Sequence, residues 1–443
     1  MTNMKFFYAI IYIMGNHKQK LSKNVKKGGS WDDTERSQDD LIVFYNHYLK
    51  QAFKTDSELA KVKCETTPFN NDATTSNSLL VIDMQPDFVN ERGAFSVADG
   101  NLMVDPLVDF ITNQQKNFTK IIFSRDTHDK KHCSFSTFPE HCVINSEGAQ
   151  IIDKLKIFKD ISNCDVIFKG MHPDVDSFGA AKYNNDDYLS NRQFGNCCNK
   201  FNNNDNNDNN DKQKCSDLTG GKYLTDEKKD NNFQDKPFTL KNDEEPTYEN
   251  IKNQFKEESF TIDDLLPTNY HKNNHKHNIF ICGLAGDFCC KDTAINLAKE
   301  AADKQYKTNI KVYIINPLVR YAFLPIFSDS IKISKEEEEK YKQDKQDKEL
   351  PYYVFKLEKD NKKRILPIDE VKNLKFDDIK NENTYRHFLT DPKEIVQDYK
   401  KYGVQMLMSI PTFNNKKEGG RSKNKTRKRK TNKNRKSNKK SKH

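Results

Sequence analysis

Hydrophobic positions along this chain fall into two kinds of run, and the two alternate. Short continuous apolar or β-branched stretches occur at 79–83 (LLVID), 120–126 (KIIFSRD), 165–170 (DVIFKG), 278–284 (NIFICGL), 311–316 (KVYIIN) and 403–409 (GVQMLMS). Helix-length segments separate them. The plainest follows Cys289, where Ala294, Leu297, Ala298, Ala301 and Ala302 recur at helical spacing. Strands without polar alternation are those buried on both faces. The pattern therefore predicts an α/β fold with a central parallel sheet of about six strands, covered by helices on either side.

Three stretches break the rhythm. Residues 1–77 hold one helix-like segment, 37–53, and read as an N-terminal extension. Residues 184–277 include an asparagine- and aspartate-rich tract (NKFNNNDNNDNNDKQ) too polar to bury a core. Residues 331–384 open on a charged run (SKEEEEKYKQDKQDK) that reads as a solvated helix or loop. Both are expected to be insertions that do not pack, inside a domain spanning 78–410. Residues 411–443 are expected to be a disordered basic tail.

Composition fits this division. Of 443 residues only 35% are hydrophobic and 31% are charged, which suits an ordinary core carried among long insertions. The net charge of +9 is uneven. Residues 416–443 contain fifteen Lys or Arg and one Glu, so this end carries +14 and the remaining 415 residues sum to −5. Such a run can contact nucleic acid or another polyanion without reading sequence, since it has no aromatic residue to stack on bases. It can equally serve as a nuclear localisation signal or a solubilising end.

The ten cysteines lie largely in or beside apolar runs and are expected as free thiols of a reducing, cytoplasmic compartment, with nuclear entry through the tail as the alternative. Phe6–Met14 make nine apolar residues, about half of the ~20 needed to span a bilayer. They predict a packed strand rather than a membrane anchor. The sequence leaves the oligomeric state open.

Reactive side chains collect at the carboxyl ends of the predicted strands, where parallel α/β sheets bind ligands. Asp83 ends the first strand, Asp126 the second and Lys169 the third, while Cys289 stands just beyond the fourth in the first turn of a helix. A helix N-terminus favours a thiolate and offers unpaired N–H groups to an oxyanion. Asp126 and His128 are two apart at a strand end, so both can point to one side. His132 and His141 follow soon after. A carboxylate with two or three histidines suits a divalent metal, Zn²⁺ first with Fe²⁺ or Mn²⁺ as alternatives, leaving positions for water or substrate. A lone D-x-H is usually an ordinary turn, and a lone apolar cysteine is usually core. Four reactive groups at neighbouring strand ends argue otherwise.

In this order, "VIDMQPDF", "RDTHDKKHCSF", "PEHCV", "FKG" and "GLAGDFCCKDTA" resemble the isochorismatase-like cysteine hydrolases, most nearly their nicotinamide- and pyrazinamide-hydrolysing members. The resemblance covers about 78–182, 277–330 and 385–410. It implies a three-layer α/β/α fold and a metal-dependent amidohydrolase making nicotinate and ammonia through a thioester, as in NAD salvage. Residue by residue, it implies Asp83, Lys169 and Cys289 as catalytic groups. Asp126, His128 and His141 would be the metal ligands, with His132 a ligand in some members only. Phe88 and Phe138 would line the substrate pocket, and the Leu284–Ala285 peptide would shape the oxyanion hole with the Cys289 N–H. The chain departs from the family at Phe138, usually tryptophan, at Gly286, usually threonine, at Cys290, usually valine, and in "DSFGAA" after the lysine. The alternatives are a related hydrolase of another small amide, or an inert scaffold whose tail binds nucleic acid.

Overall fold

The computed structural model describes residues 53–183, 215–326 and 385–415 apart from short gaps, together with the strands Val354–Leu357 and Lys363–Ile365. The apolar run 6–14, nearly all of the helix-like segment 37–53, the asparagine-rich tract, the charged run and the basic end 416–443 lie outside the described residues.

Among the described residues, nine strands form one sheet. In chain order these are β1 (Lys63–Cys64), β2 (Thr75–Ile82), β3 (Lys120–Asp126), β4 (Cys164–Lys169), β5 (Lys222–Leu224), β6 (Phe255–Ser259), β7 (Lys276–Leu284), β8 (Ile310–Arg320) and β9 (Gln405–Leu407). Their spatial order is β1-β9-β8-β7-β2-β3-β4-β5-β6. The seven from β1 to β4 in this order pair in parallel, and β5 and β6 continue antiparallel. Three helices matter for the site: α1 (Val104–Gln114), α2 (Cys289–Ala301) and α3 (Pro392–Tyr402). Ser76 through Ile82 are buried without interruption, as a strand covered on both faces requires. All six predicted strands are present in this mostly parallel α/β sheet.

The differences have physical causes. Strands β1, β5 and β6 escaped the sequence reading because they are short or carry charged outward positions, as in Lys63–Cys64 and in Phe255–Ser259 (FKEES). The segment 184–277 was expected not to pack, yet beyond 215 it buries Leu224, Phe238, Ile251, Phe255, Phe260, Ile262 and Leu265. These apolar residues are sparse along the chain, yet they are buried. Residues 331–384, expected to be an insertion that does not pack, likewise hold two strands. Val354–Leu357 and Lys363–Ile365 pair antiparallel with each other, and a small second sheet is completed by Tyr385–Phe388 and Pro325–Ile326. Among the described residues six cysteines are free as expected, but Cys133 is disulfide-bonded: a cysteine count carries no information about which thiols the fold brings together. No helix among the described residues is long and apolar enough to cross a membrane.

Candidate functional site

The strand order changes direction beside β2. The chain proceeds from β2 to β3 and β4 on one side, then returns through β7 to β8 and β9 on the other. A crevice opens at such a reversal, at the carboxyl ends of the strands. Asp83 is the first residue after β2 and Cys289 opens α2 beyond β7, so these two stand across the crevice. Asp126 and Lys169 end β3 and β4 in register with each other. Every one of these four side chains is buried.

Lys169 organises the group. Its ammonium lies 2.9 Å from Asp83 Oδ2 and 2.9 Å from Asp126 Oδ1, and it donates to Cys289 Sγ at 3.6 Å. Asp83 Oδ1 accepts from the Ser124 hydroxyl at 2.6 Å. Asp83 holds φ at 47°, a left-handed conformation that a non-glycine residue keeps only where its surroundings fix it. Although the ammonium is close, Oδ2 receives no aligned hydrogen bond, which leaves a lone pair facing the crevice. Ligand atoms of Asp83, Asp126 and Cys289 all lie within 4.8 Å of one another.

Burial and charge oppose each other here. Burial raises the Asp83 pKa even though Lys169 pulls it down. Burial also pushes the Cys289 thiol well above its ordinary range, with Lys169 opposing. For Lys169, burial disfavours the charge, but Asp126 and Asp83 outweigh it and keep the amine protonated. Burial and charge together thus favour the neutral thiol of Cys289 beside the ammonium of Lys169.

A second group adjoins the first. Asp126 Oδ2 lies 3.2 Å from His128 Nε2 and 3.9 Å from His141 Nε2, and the three donor atoms fall within 4.8 Å of one another. The Nδ1–H of His128 donates to the Gly170 carbonyl at 2.7 Å, and that of His141 to the Pro139 carbonyl at 2.7 Å. Each carbonyl can only accept, so each imidazole turns its Nε2 inward; for His128, burial is outweighed by the neighbouring Asp126 carboxylate, which raises the pKa. Burial and the neighbouring His128 push the His141 pKa down to about 3, keeping that imidazole neutral. Gly170 sits at φ +65, and a Cβ there would meet His128 Cε1 at 2.7 Å and Asp126 Oδ1 at 2.8 Å. These features fit a divalent metal held by two imidazoles and one carboxylate, with oriented outer partners and open positions.

His132 lies outside this group. Its ring packs 4.2 Å from that of His128, its Nε2–H donates to the Val175 carbonyl at 3.2 Å, and its Nδ1 meets the Ser134 hydroxyl at 2.7 Å. The Leu284–Ala285 peptide is cis. Phe88 stands edge-on to His141 at 5.4 Å, and Phe138 contacts Phe95 at 5.3 Å.

The structure adds residues that sequence reasoning missed. Phe95 packs 5.0 Å from His141, Phe135 packs 5.6 Å from His128, and Phe178 and Phe288 meet at 5.5 Å beside Phe138, together lining the crevice with aromatic rings. They lie in loops or, for Phe135, in the short 3-10 turn Cys133–Ser136, where no periodicity marks them. Ser124 was detectable: it is two residues before Asp126 in a strand, so both side chains face the same way. Gln85 brackets Asp126, accepting from its N–H at 2.7 Å and donating to its carbonyl at 2.8 Å.

Residues 77–192 match the model of the isochorismatase domain. A nicotinamidase of Saccharomyces cerevisiae is 25% identical over 131 residues, covering 23% of this chain and 61% of the relative. A nicotinamidase of Escherichia coli is 34% identical over 122 residues, covering 23% of this chain and 55% of the relative. The chain thus spans less than two thirds of the length of the curated relatives it matches. A solved structure from L. infantum, described as a complex with nicotinate, is 20% identical with a TM-score of 0.32, covering 58% of this chain and 86% of the other.

Proposed function

From the match of residues 77–192 to the isochorismatase domain, we propose that this protein is a metal-dependent cysteine amidohydrolase converting nicotinamide to nicotinate and ammonia, a step of NAD salvage. One observation carries the reading: Lys169 bridges Asp83, Asp126 and Cys289 in one buried cluster beside the His128–His141 pair. An inert scaffold has no use for a buried ammonium, two carboxylates and a thiol packed together, because each charge costs solvation. The naming of both curated relatives as nicotinamidases supports the substrate.

In this reading Cys289 Sγ attacks the carboxamide carbon while Asp83 Oδ2 takes the thiol proton. Lys169 stabilises the ionised pair during transfer. The N–H groups of Ala285 and Cys289 receive the developing oxyanion, each contributing roughly 3 kcal/mol. Asp83 returns its proton to the departing ammonia, leaving a thioester. A water then enters, Asp83 removes its proton, and attack on the thioester releases the acid and restores the thiol. Asp126, His128 and His141 would hold the metal, Zn²⁺ by the donor set, whose contribution is to orient the aromatic nitrogen of the substrate. Phe88 and Phe138 confine the ring.

The test is ammonia release from nicotinamide by purified protein, beside a Cys289→Ala variant and a chelator-treated sample. Release that both treatments abolish supports the proposal. Release that survives Cys289→Ala refutes the covalent route, and metal-free activity equal to that of untreated protein refutes the metal dependence.

A further inference from the structure

The loop that supplies His128 and His141 is held from within by the core. The His128 N–H donates to the Cys142 carbonyl at 2.8 Å, the Ile144 N–H to the His128 carbonyl at 2.9 Å, and the Cys142 N–H to Asp87 Oδ2 at 2.7 Å. From outside, the same loop is held by the inserted chain between β5 and β7. At its far end Asn145 clasps the backbone of Phe238: Oδ1 accepts from the Phe238 N–H at 2.7 Å and Nδ2 donates to the Phe238 carbonyl at 3.4 Å. At its near end Asp129 Oδ2 accepts from the Tyr248 N–H at 2.8 Å, while Oδ1 accepts from the Lys131 N–H at 2.8 Å. The clasp is anchored in turn. Phe238 is 2% exposed, and its ring lies 5.5 Å from Phe168 of β4 and 5.5 Å from Phe255 of β6.

Asn145 adopts φ 65, a conformation that asparagine tolerates better than most residues. Neither it nor Asp129 reaches the reacting atoms, and neither belongs to the donor group. Both nevertheless sit just outside a ligand, Asp129 one residue after His128 and Asn145 four after His141.

We propose that Asn145 and Asp129 are positioning residues through which Phe238 and Tyr248 of the inserted chain fix the loop that carries His128 and His141 and so set metal affinity. This rests on the metal reading of the Asp126–His128–His141 group. His141 depends on a carbonyl of its own loop, that of Pro139, for its orientation, and its Nε2 stands 3.9 Å from Asp126 Oδ2. Freeing the outer face of the loop lets that imidazole leave its line. Outer partners of this kind govern metal affinity by roughly 10- to 100-fold.

The experiment is zinc competition against a chromophoric chelator on the full chain, with Asn145→Gly and Asn145→Asp alongside the unmodified protein. Asn145→Gly keeps the left-handed backbone and removes only the clasp. It is expected to bind zinc on the order of 10-fold more weakly. Asn145→Asp retains the acceptor for the Phe238 N–H and is expected to fall between the two. If both variants bind zinc as the unmodified protein does, even with lowered melting temperatures, the insertion only stabilises the fold and the inference is overturned. Should Asn145→Gly fail to fold, Asn145→Asp decides by the same comparison. Unmodified protein that is folded yet holds no zinc overturns the metal reading itself, and this inference with it.

Discussion

Replacing Lys169 by methionine tests the electrostatic account of the site most directly. The two side chains have similar length and volume, so the packing of a fully buried position is retained and the charge alone is lost. Two carboxylates, each 2.9 Å from the ammonium, then face one another without a counter-charge. Removing one partner of a buried ion pair costs about 3–5 kcal/mol. At about 2–4 °C per kcal/mol for a domain of this size, melting should fall by roughly 6–20 °C. The pH dependence sharpens the test. Burial already raises the Asp83 pKa, with Lys169 pulling it down, and the variant removes that pull. A carboxyl with a raised folded pKa contributes stability below its unfolded value, near 4, and loses it as pH rises through the folded value. The deficit should therefore shrink at pH 5 and grow toward pH 8. Thermal unfolding of both proteins across that range reads it, and ammonia release should be lost throughout. A variant that melts with the unmodified protein at pH 8, or whose deficit is independent of pH, would refute the reasoning.

Two further outcomes are expected. Ser124→Ala removes the 2.6 Å hydrogen bond to Asp83 Oδ1, which should cost about 2 kcal/mol and move the acid limb of kcat/KM to higher pH, because the base then ionises less readily; an unmoved limb would show that Ser124 does not tune Asp83. Tyr183→Phe deletes the hydroxyl that donates to Asp292 of α2 and accepts the Gly179 N–H at 3.0 Å, and should cost about 1–3 kcal/mol in thermal unfolding while raising KM more than it lowers kcat, since it frees the segment that carries Phe178.

The sequence made the central strands and the ends of β3 and β4 legible for one reason: continuous apolar runs stop where a charged residue begins, and that residue then stands at the mouth of the sheet. Asp126 and Lys169 are visible this way, Asp83 lies one position past its strand, and Cys289 is marked instead by its place in the first turn of a helix. The inserted chain was not legible. Its buried residues, such as Leu224, Phe238 and Phe260, are scattered through a largely polar and charged segment, and an average over such a segment reports its solvated side. The aromatic lining failed for a different cause. Phe95, Phe135, Phe178 and Phe288 come from four separate stretches of the chain, and only the folded chain brings their rings together. His132 shows the converse limit, since spacing along the chain shows how near a histidine is to the site but not what its ring nitrogens bind.

The departures from the resembling family also take on meaning only in three dimensions. Gly286 stands where that family usually has threonine. A Cβ at 286 would lie 2.5 Å from Tyr321 Cε1 and 2.6 Å from Val319 Cγ1, so it would point toward the end of β8. The Tyr321 ring is buried, and its hydroxyl donates to Asn316 Oδ1 at 3.0 Å. It occupies the space that a branched side chain at 286 would need. The turn keeps its anchors on both sides of that ring, because the Gly286 N–H donates to the Arg320 carbonyl at 2.7 Å and Asp287 Oδ1 accepts from the Ala322 N–H at 2.9 Å. The change at 286 is thus an exchange of volume behind the turn before α2, with the backbone that leads into Cys289 still tied to β8. Phe138 and Phe178 are different: their rings belong to the aromatic wall itself, 6.1 Å apart. A shift in substrate preference would arise at those two positions rather than at Gly286.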